Sequence, residues 1–161
     1  MELIYVTKEG YEQFQEKLKQ AEKNRQSNLR DLSSSCNDYV GDGWHDNPLY
    51  DDAMLKSRIH DYEISKLLKQ ERQLKIIEDT YDEELVNVND IVEVEFIYSS
   101  NERERIFIKL TGLYLPNLNS DIIEISLNSP IGQCLYKAKI GELCEYNDNG
   151  KKIKIRVINR V

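Results

Sequence analysis

At 161 residues the chain is long enough for one large domain or two small ones with a true core. Its net charge of −7 and pI near 5.0 argue against diffuse electrostatic binding to bare nucleic acid. Charged residues make up 32% of the chain, no apolar run reaches membrane-spanning length, and the opening "MELIYVTKEG" lacks the build of a signal peptide, so no membrane partner and a cytoplasmic setting are expected.

From Thr7 to Leu32 the only glycine is Gly10 and there is no proline. Tyr11, Phe14, Leu18, Ala21, Leu29 and Leu32 recur largely at three- and four-residue steps, which predicts a helix with one apolar stripe. Thr7 is its expected N-cap, and Glu9 and Glu12 suit the positive end of its dipole. A second such stretch runs from Leu49 to Glu78, with Leu55, Ile59, Tyr62, Leu67, Leu74 and Ile77 as its expected stripe. Two helices of about 28 residues, each about 42 Å long, joined by a short break should fold back as an antiparallel coiled-coil hairpin over residues 1–78. The middle of that seam is expected to be polar, with Arg25, Gln26 and Asn28 facing Lys66, Lys69 and Gln70. Gly41, Gly43 and Pro48 interrupt helix only at the far end. The acidic segment over 38–52, centred on "GDGWHDNPLYDD", is therefore the tip of the rod.

Beyond a hinge expected at "YDEEL" (81–85), the pattern changes to short β-branched runs over 79–161. "DIVEVEFIY" (90–98), "ERIFIKLTGLYL" (104–115), "DIIEISL" (121–127) and "KKIKIRVINRV" (151–161) predict strands, the last after an Asn149-Gly150 turn. Ser129 before Pro130 predicts the start of a short helix with Cys134, Leu135 and Ala138 on its apolar face, ended by Gly141. The whole is an α+β chain, a helical hairpin followed by a small β-sheet domain with one short helix. Cys36, Cys134 and Cys144 are odd in number and lack C-x-x-C spacing. They read as reduced thiols used for packing, not as disulfides or a zinc site.

Three stretches resemble the Gre-type (GreA/GreB) bacterial transcript cleavage factors. "VTKEGYEQFQEKLKQ" is similar to the family's start, "GDGWHDNPLYDDA" to its tip, and "ISLNSPIGQCLYKAKIGE" to its carboxy-terminal signature, in the right order along the chain. The resemblance implies a coiled-coil hairpin on a globular domain of the FK506-binding-protein type, and a factor that is not itself an enzyme. It implies docking of the globular domain on core RNA polymerase through Asn128, Ser129, Pro130 and Ile131, with the hairpin entering the secondary channel as a monomer. Asp42 and Asp46 would be the catalytic carboxylates, sharing a magnesium ion with the polymerase beside the 3′ end of backtracked RNA. Trp44 and Asn47 would make tip contacts, and DNA binding is expected with the resemblance. One departure stands out: Gly43, Trp44 and His45 separate the two acids where the family pattern has two residues, and the second acid is Asp46 in place of a glutamate.

The residues themselves leave alternatives open. Magnesium takes oxygen ligands and is commonly held by one or two carboxylates, so Asp42 and Asp46 suit a shared site; on composition alone they read more readily as a cap for the second helix or a solvated turn, and it is the resemblance that favours the metal. Asp51 and Asp52 read as first-turn acids on that helix. His45 beside Asp42 and Asp46 reads as an exposed turn histidine more readily than as a transition-metal ligand. Trp44 would stack on an RNA base or a polymerase loop, or fold back on Tyr39 or Tyr50. Lys17, Lys19, Lys23, Arg25 and Arg30 read as solvated i,i+4 pairs in preference to RNA contacts. Two other functions remain beside cleavage: a channel-occupying regulator that inhibits or pauses the polymerase, and a coiled-coil adaptor unrelated to transcription.

Overall fold

The computed structural model describes residues 3–37, 48–78, 80–100, 102–115, 121–148 and 150–161, which fall into two compact units. One is Phe14–Gln73; the other combines Glu2–Gln13 with Leu74–Val161. The division between these units lies at 13/14 and 73/74. The expected hinge at 81–85 sits inside the second unit.

The first unit holds most of helix α1 (Lys8–Asn37) and all of α2 (Pro48–Glu71). On α1 the inward residues Phe14, Leu18, Ala21, Asn28 and Leu32 follow alternating four- and three-residue steps through Arg25, a coiled-coil spacing. Phe14, Leu18 and Leu67 are buried, as the sequence pattern required. The seam of α2 differs from the expected one. Its inward positions are Tyr50, Ala53, Ser57, His60, Ile64, Leu67 and Glu71, whereas Leu55, Ile59 and Tyr62 are exposed. Three cross-links fix the antiparallel register: Gln15 Nε2 donates to Glu71 Oε1 at 2.8 Å, Arg25 pairs with Asp61, and buried Asn28 donates from Nδ2 to the Ala53 carbonyl at 3.0 Å. Asn28 and Arg25 thus do not face Lys66, Lys69 and Gln70. A buried amide bonded to backbone keeps one register, because a slip leaves it unpaired. His60 Nδ1, in the same seam, is buried with no hydrogen-bond partner among the described residues.

α2 also stops short of Glu78. After a turn at Arg72 and Gln73, strand β2 (Leu74–Ile76) pairs in parallel with β1 (Ile4–Val6). Ile77 N–H donates to the Val6 carbonyl and its side chain packs on the second unit's core. Strand pairing and core burial override the helical periodicity here.

In the second unit a five-stranded sheet has the order β5-β4-β3-β7-β6: Ile123–Ser126, Arg103–Thr111, Ile91–Ile97, Lys151–Arg160 and Leu143–Asp148. All neighbours are antiparallel except β4 and β5. The sequence pattern predicted four of these strands and missed β6, which returns to β7 through the turn at Gly150, where φ is +84°. Alternate residues of the central strands, Val92, Val94, Ile108, Leu110, Ile155 and Val157, form the core face. Helix α3 (Pro130–Leu135) contributes Leu135 to that core and carries the chain from β5 at one edge to β6 at the other. It ends at Leu135, well before Gly141, where Lys137 turns into the left-handed region with φ +61°.

Thr7 caps α1 as predicted: Gly10 N–H donates to its Oγ1 at 3.2 Å, while Thr7 N–H donates to the Gly112 carbonyl at 3.0 Å. A Cβ at Gly10 would sit inside van der Waals contact of the Gly112 carbonyl oxygen, so only glycine allows this approach of helix to strand end.

Candidate functional site

The predicted tip residues Asp42, Trp44, His45, Asp46 and Asn47 lie outside the described residues, in the segment that joins α1 to α2. What flanks them is ordered by simple helix chemistry. Pro48 opens α2 at a position where its missing N–H is no loss, and Asp51 lies in the first turn. Asp52 pairs with Lys56 at 2.6 Å, an exposed i,i+4 pair, and that hydrogen bond raises the pKa of Lys56. Among the described residues no group of three or more His, Cys, Asp or Glu side chains could hold a metal ion. No described helix is long and apolar enough to cross a membrane.

The predicted docking residues are all described, and they do different things. Ser129 is the N-cap of α3: its hydroxyl donates to the Ser126 carbonyl at 2.8 Å and accepts from Gly132 N–H at 3.0 Å. Asn128 is a clamp on β1, its Oδ1 accepting from Tyr5 N–H at 2.7 Å and its Nδ2 donating to the Tyr5 carbonyl at 2.8 Å. Ile131 is half-buried against the core, and Pro130 alone of the four is exposed. The expected exposed turn is therefore one projecting proline on a stiff base. The base needs Gly132, because a Cβ there would collide with the Ser126 carbonyl.

Two charged clusters of this unit escaped the sequence reading. Glu95 on β3 is buried beneath Arg105 at 3.1 Å, Arg103 at 3.6 Å and Arg156 at 3.9 Å, which reach it from the neighbouring strands. Alternation on "VEVEF" marks Glu95 as outward-facing, but only strand pairing supplies the three arginines. The second cluster centres on Asn87, which is fully buried. Its amide donates to the carbonyls of Asp82 and Leu85 and its Oδ1 accepts from Lys137 Nζ at 2.9 Å. Arg160 reaches the same two carbonyls, so the segment expected as a hinge is fastened to the sheet. Three phenols of this unit are perturbed too. A hydrogen bond to Glu104 raises the pKa of Tyr98, and burial raises those of Tyr114 and Tyr146.

The cysteine expectation is overturned in part. Cys134 on α3 and Cys144 on β6 form a disulfide, with Cα atoms 5.7 Å apart across ten residues of sequence. The crossing of α3 to the β6 edge creates this proximity, which no Cys spacing announced.

Several solved structures are similar to this chain. They include the GreA factor homolog 1 (Gfh1) protein of Thermus thermophilus, 20% identical at TM-score 0.42 over 100% of this chain and 99% of that one. The Thermus aquaticus Gfh1 is 21% identical at TM-score 0.43, covering 99% of both chains. The prokaryotic transcription elongation factor GreA/GreB from Nitrosomonas europaea is 17% identical at TM-score 0.37, over 63% of this chain and 77% of that one. No protein-family model matches the chain, and no curated protein matches it in sequence.

Proposed function

We propose that this chain is a Gre-type transcription elongation factor: it binds core RNA polymerase in the cytoplasm, inserts its helical hairpin into the secondary channel, and stimulates cleavage of backtracked RNA. What supports this reading is the described hairpin together with the acidic run of sequence between its two helices. An antiparallel hairpin with one register is closed at its end by a stretch containing Asp42 and Asp46 and no lysine or arginine. The three quoted motifs give the same reading, and two of them have a visible structural purpose: Thr7 with Gly10 caps α1 against the end of β4, and Ser129-Pro130 caps α3.

In this reading the factor is a monomer and not an enzyme by itself. Asp42 and Asp46 would hold a magnesium ion shared with the polymerase, and their oxygen chemistry fits that hard cation. Bound there, the ion would supply activation of water and stabilisation of the leaving oxygen at the RNA 3′ end. The chain's own contributions are to carry the two carboxylates, to keep the hairpin in register through Asn28, and to dock through Pro130 on the base stiffened by Asn128, Ser129 and Ile131. Trp44 and Asn47 would contact RNA or channel wall at the tip.

The test is addition of the protein to stalled, backtracked elongation complexes with release of short 3′ RNA fragments as the readout. Wild-type protein should release them in a magnesium-dependent way. Asp42→Ala and Asp46→Ala should cut release by about ten- to a hundredfold while still competing with wild type for polymerase. A second reading has its own support in the tip, where three residues separate Asp42 from Asp46 and the second acid is one methylene shorter than glutamate. That spacing suits a factor that occupies the channel and inhibits or pauses the polymerase. Binding without fragments at any magnesium concentration would decide for it, and absence of binding would sink both.

A further inference from the structure

A groove of about 1000 Å³ runs along the hairpin between α1 and α2. Its floor is aliphatic: Leu29 and Leu68 are exposed at 40% and 41%, and Ile64 is half-buried beside them. Its rim is cationic. Lys19, Lys23, Lys69 and Arg72 line it with no carboxylate within ion-pair distance among the described residues, while Arg25 is already neutralised by Asp61. Glu22 is the one other acid of the lining. A net positive strip over an apolar floor is conspicuous on a chain of net charge −7.

We propose that this groove is a docking site for an acidic amphipathic helix of a partner protein. Length and charge both support that occupant. The lining residues span about 15 Å along each helix, the length of ten residues of a third helix. A helix laid between two antiparallel helices packs its own apolar ridge into theirs, as in a three-helix bundle. Leucine-like residues on its inner stripe would cover Leu29, Ile64 and Leu68, and flanking glutamates or aspartates would meet Lys19, Lys23, Lys69 and Arg72. Charge complementarity of this kind steers encounter and rejects a basic helix. A nucleic-acid strand fits less well. No aromatic ring lines the groove to stack a base, and an aliphatic floor offers nothing to a phosphate backbone.

The inference stands apart from the polymerase reading, and its test uses the purified 161-residue chain without polymerase. The probe is a fluorescein-labelled 18-residue helical peptide with leucine at i, i+3, i+4 and i+7 steps and glutamate at flanking positions, followed by anisotropy at low salt. A peptide with lysine in place of glutamate and an 18-nucleotide oligouridine are the comparisons. The acidic peptide should bind at least about tenfold more tightly than either, and added salt should weaken it. Lys23→Glu with Arg72→Glu should cost at least about tenfold in affinity and flatten the salt dependence. Leu68→Asp should cost a similar factor with the salt dependence retained, and circular dichroism establishes that each variant keeps its helix. Lys19→Gln with Lys23→Gln, both at exposed positions, serves if a charge reversal unfolds the hairpin, and should weaken binding severalfold. The proposal is overturned by absence of peptide binding, by binding indifferent to all these changes, or by oligouridine binding as tightly as the peptide. It is equally overturned if sedimentation shows self-association that Leu68→Asp abolishes, which would put a second copy in the groove.

Discussion

Two stripes compete on α2, and a pair of alanine substitutions separates them. Leu67 is 3% exposed in the seam, whereas Ile59 is 56% exposed on the outer face. Leu67→Ala removes buried methyl and methylene groups opposite α1 and leaves a gap that two helices close only in part. The expected loss is about 2–3 kcal/mol, the lower part of the range for buried leucines, because a two-helix seam relaxes more readily than a globular core. Ile59→Ala removes only partly buried surface, a loss of well under about 1 kcal/mol, and alanine's better helix propensity returns about 0.4 kcal/mol of it. The two variants should therefore differ by about 2 kcal/mol although both delete aliphatic carbon from the same helix. Urea unfolding followed by circular dichroism at 222 nm measures the difference through the midpoint at constant slope. Equal destabilisation by the two substitutions, or a larger effect at Ile59, would mean that Leu55, Ile59 and Tyr62 form the seam and that the described register is wrong.

Three further outcomes follow from the second unit. Glu95→Ala should destabilise by about 1–3 kcal/mol, less than for a fully buried ion pair because Arg103, Arg105 and Arg156 can rehydrate, and Glu95→Gln by less; equal midpoints for all three proteins would show the cluster to be inert. The raised phenol pKa values of Tyr98, Tyr114 and Tyr146 lie above the usual 10.0, so the unfolded chain gives up those protons first. The stability tied to them is fully present below pH 10.0 and lost as pH rises through the folded values; the urea midpoint should fall between pH 9 and 11, and by less in Tyr146→Phe. The non-reduced, denatured protein should show one reactive thiol, Cys36, and three after reduction, and closing a ten-residue separation should add about 2–3 kcal/mol of stability to the oxidised form. Three thiols without reduction would refute the Cys134–Cys144 bond.

Much of the architecture is written in local pattern. The α1 stripe, the Thr7 cap, four of the five sheet strands and the Ser129-Pro130 helix start each follow from spacing, capping or alternation, which act over a few residues and need no partner to be read. The acidic segment between two helices was equally plain as a run of residues, and the functional proposal rests on it. Other features depend on what each element meets. "LKII" continues a helical period, yet it becomes β2 because the backbone of Ile4–Val6 and a core pocket for Ile77 are waiting for it. Leu55, Ile59 and Tyr62 form the more apolar stripe of α2, yet the seam takes Ala53, Ser57, His60 and Leu67, because Asn28 and Arg25 on α1 find partners only in that register. The disulfide and the arginine cage of Glu95 join residues that pattern alone keeps apart. Sequence periodicity determines which residues share a face of one element; which of two faces is buried is a pairwise property, decided by the hydrogen bonds and charges of the element packed against it.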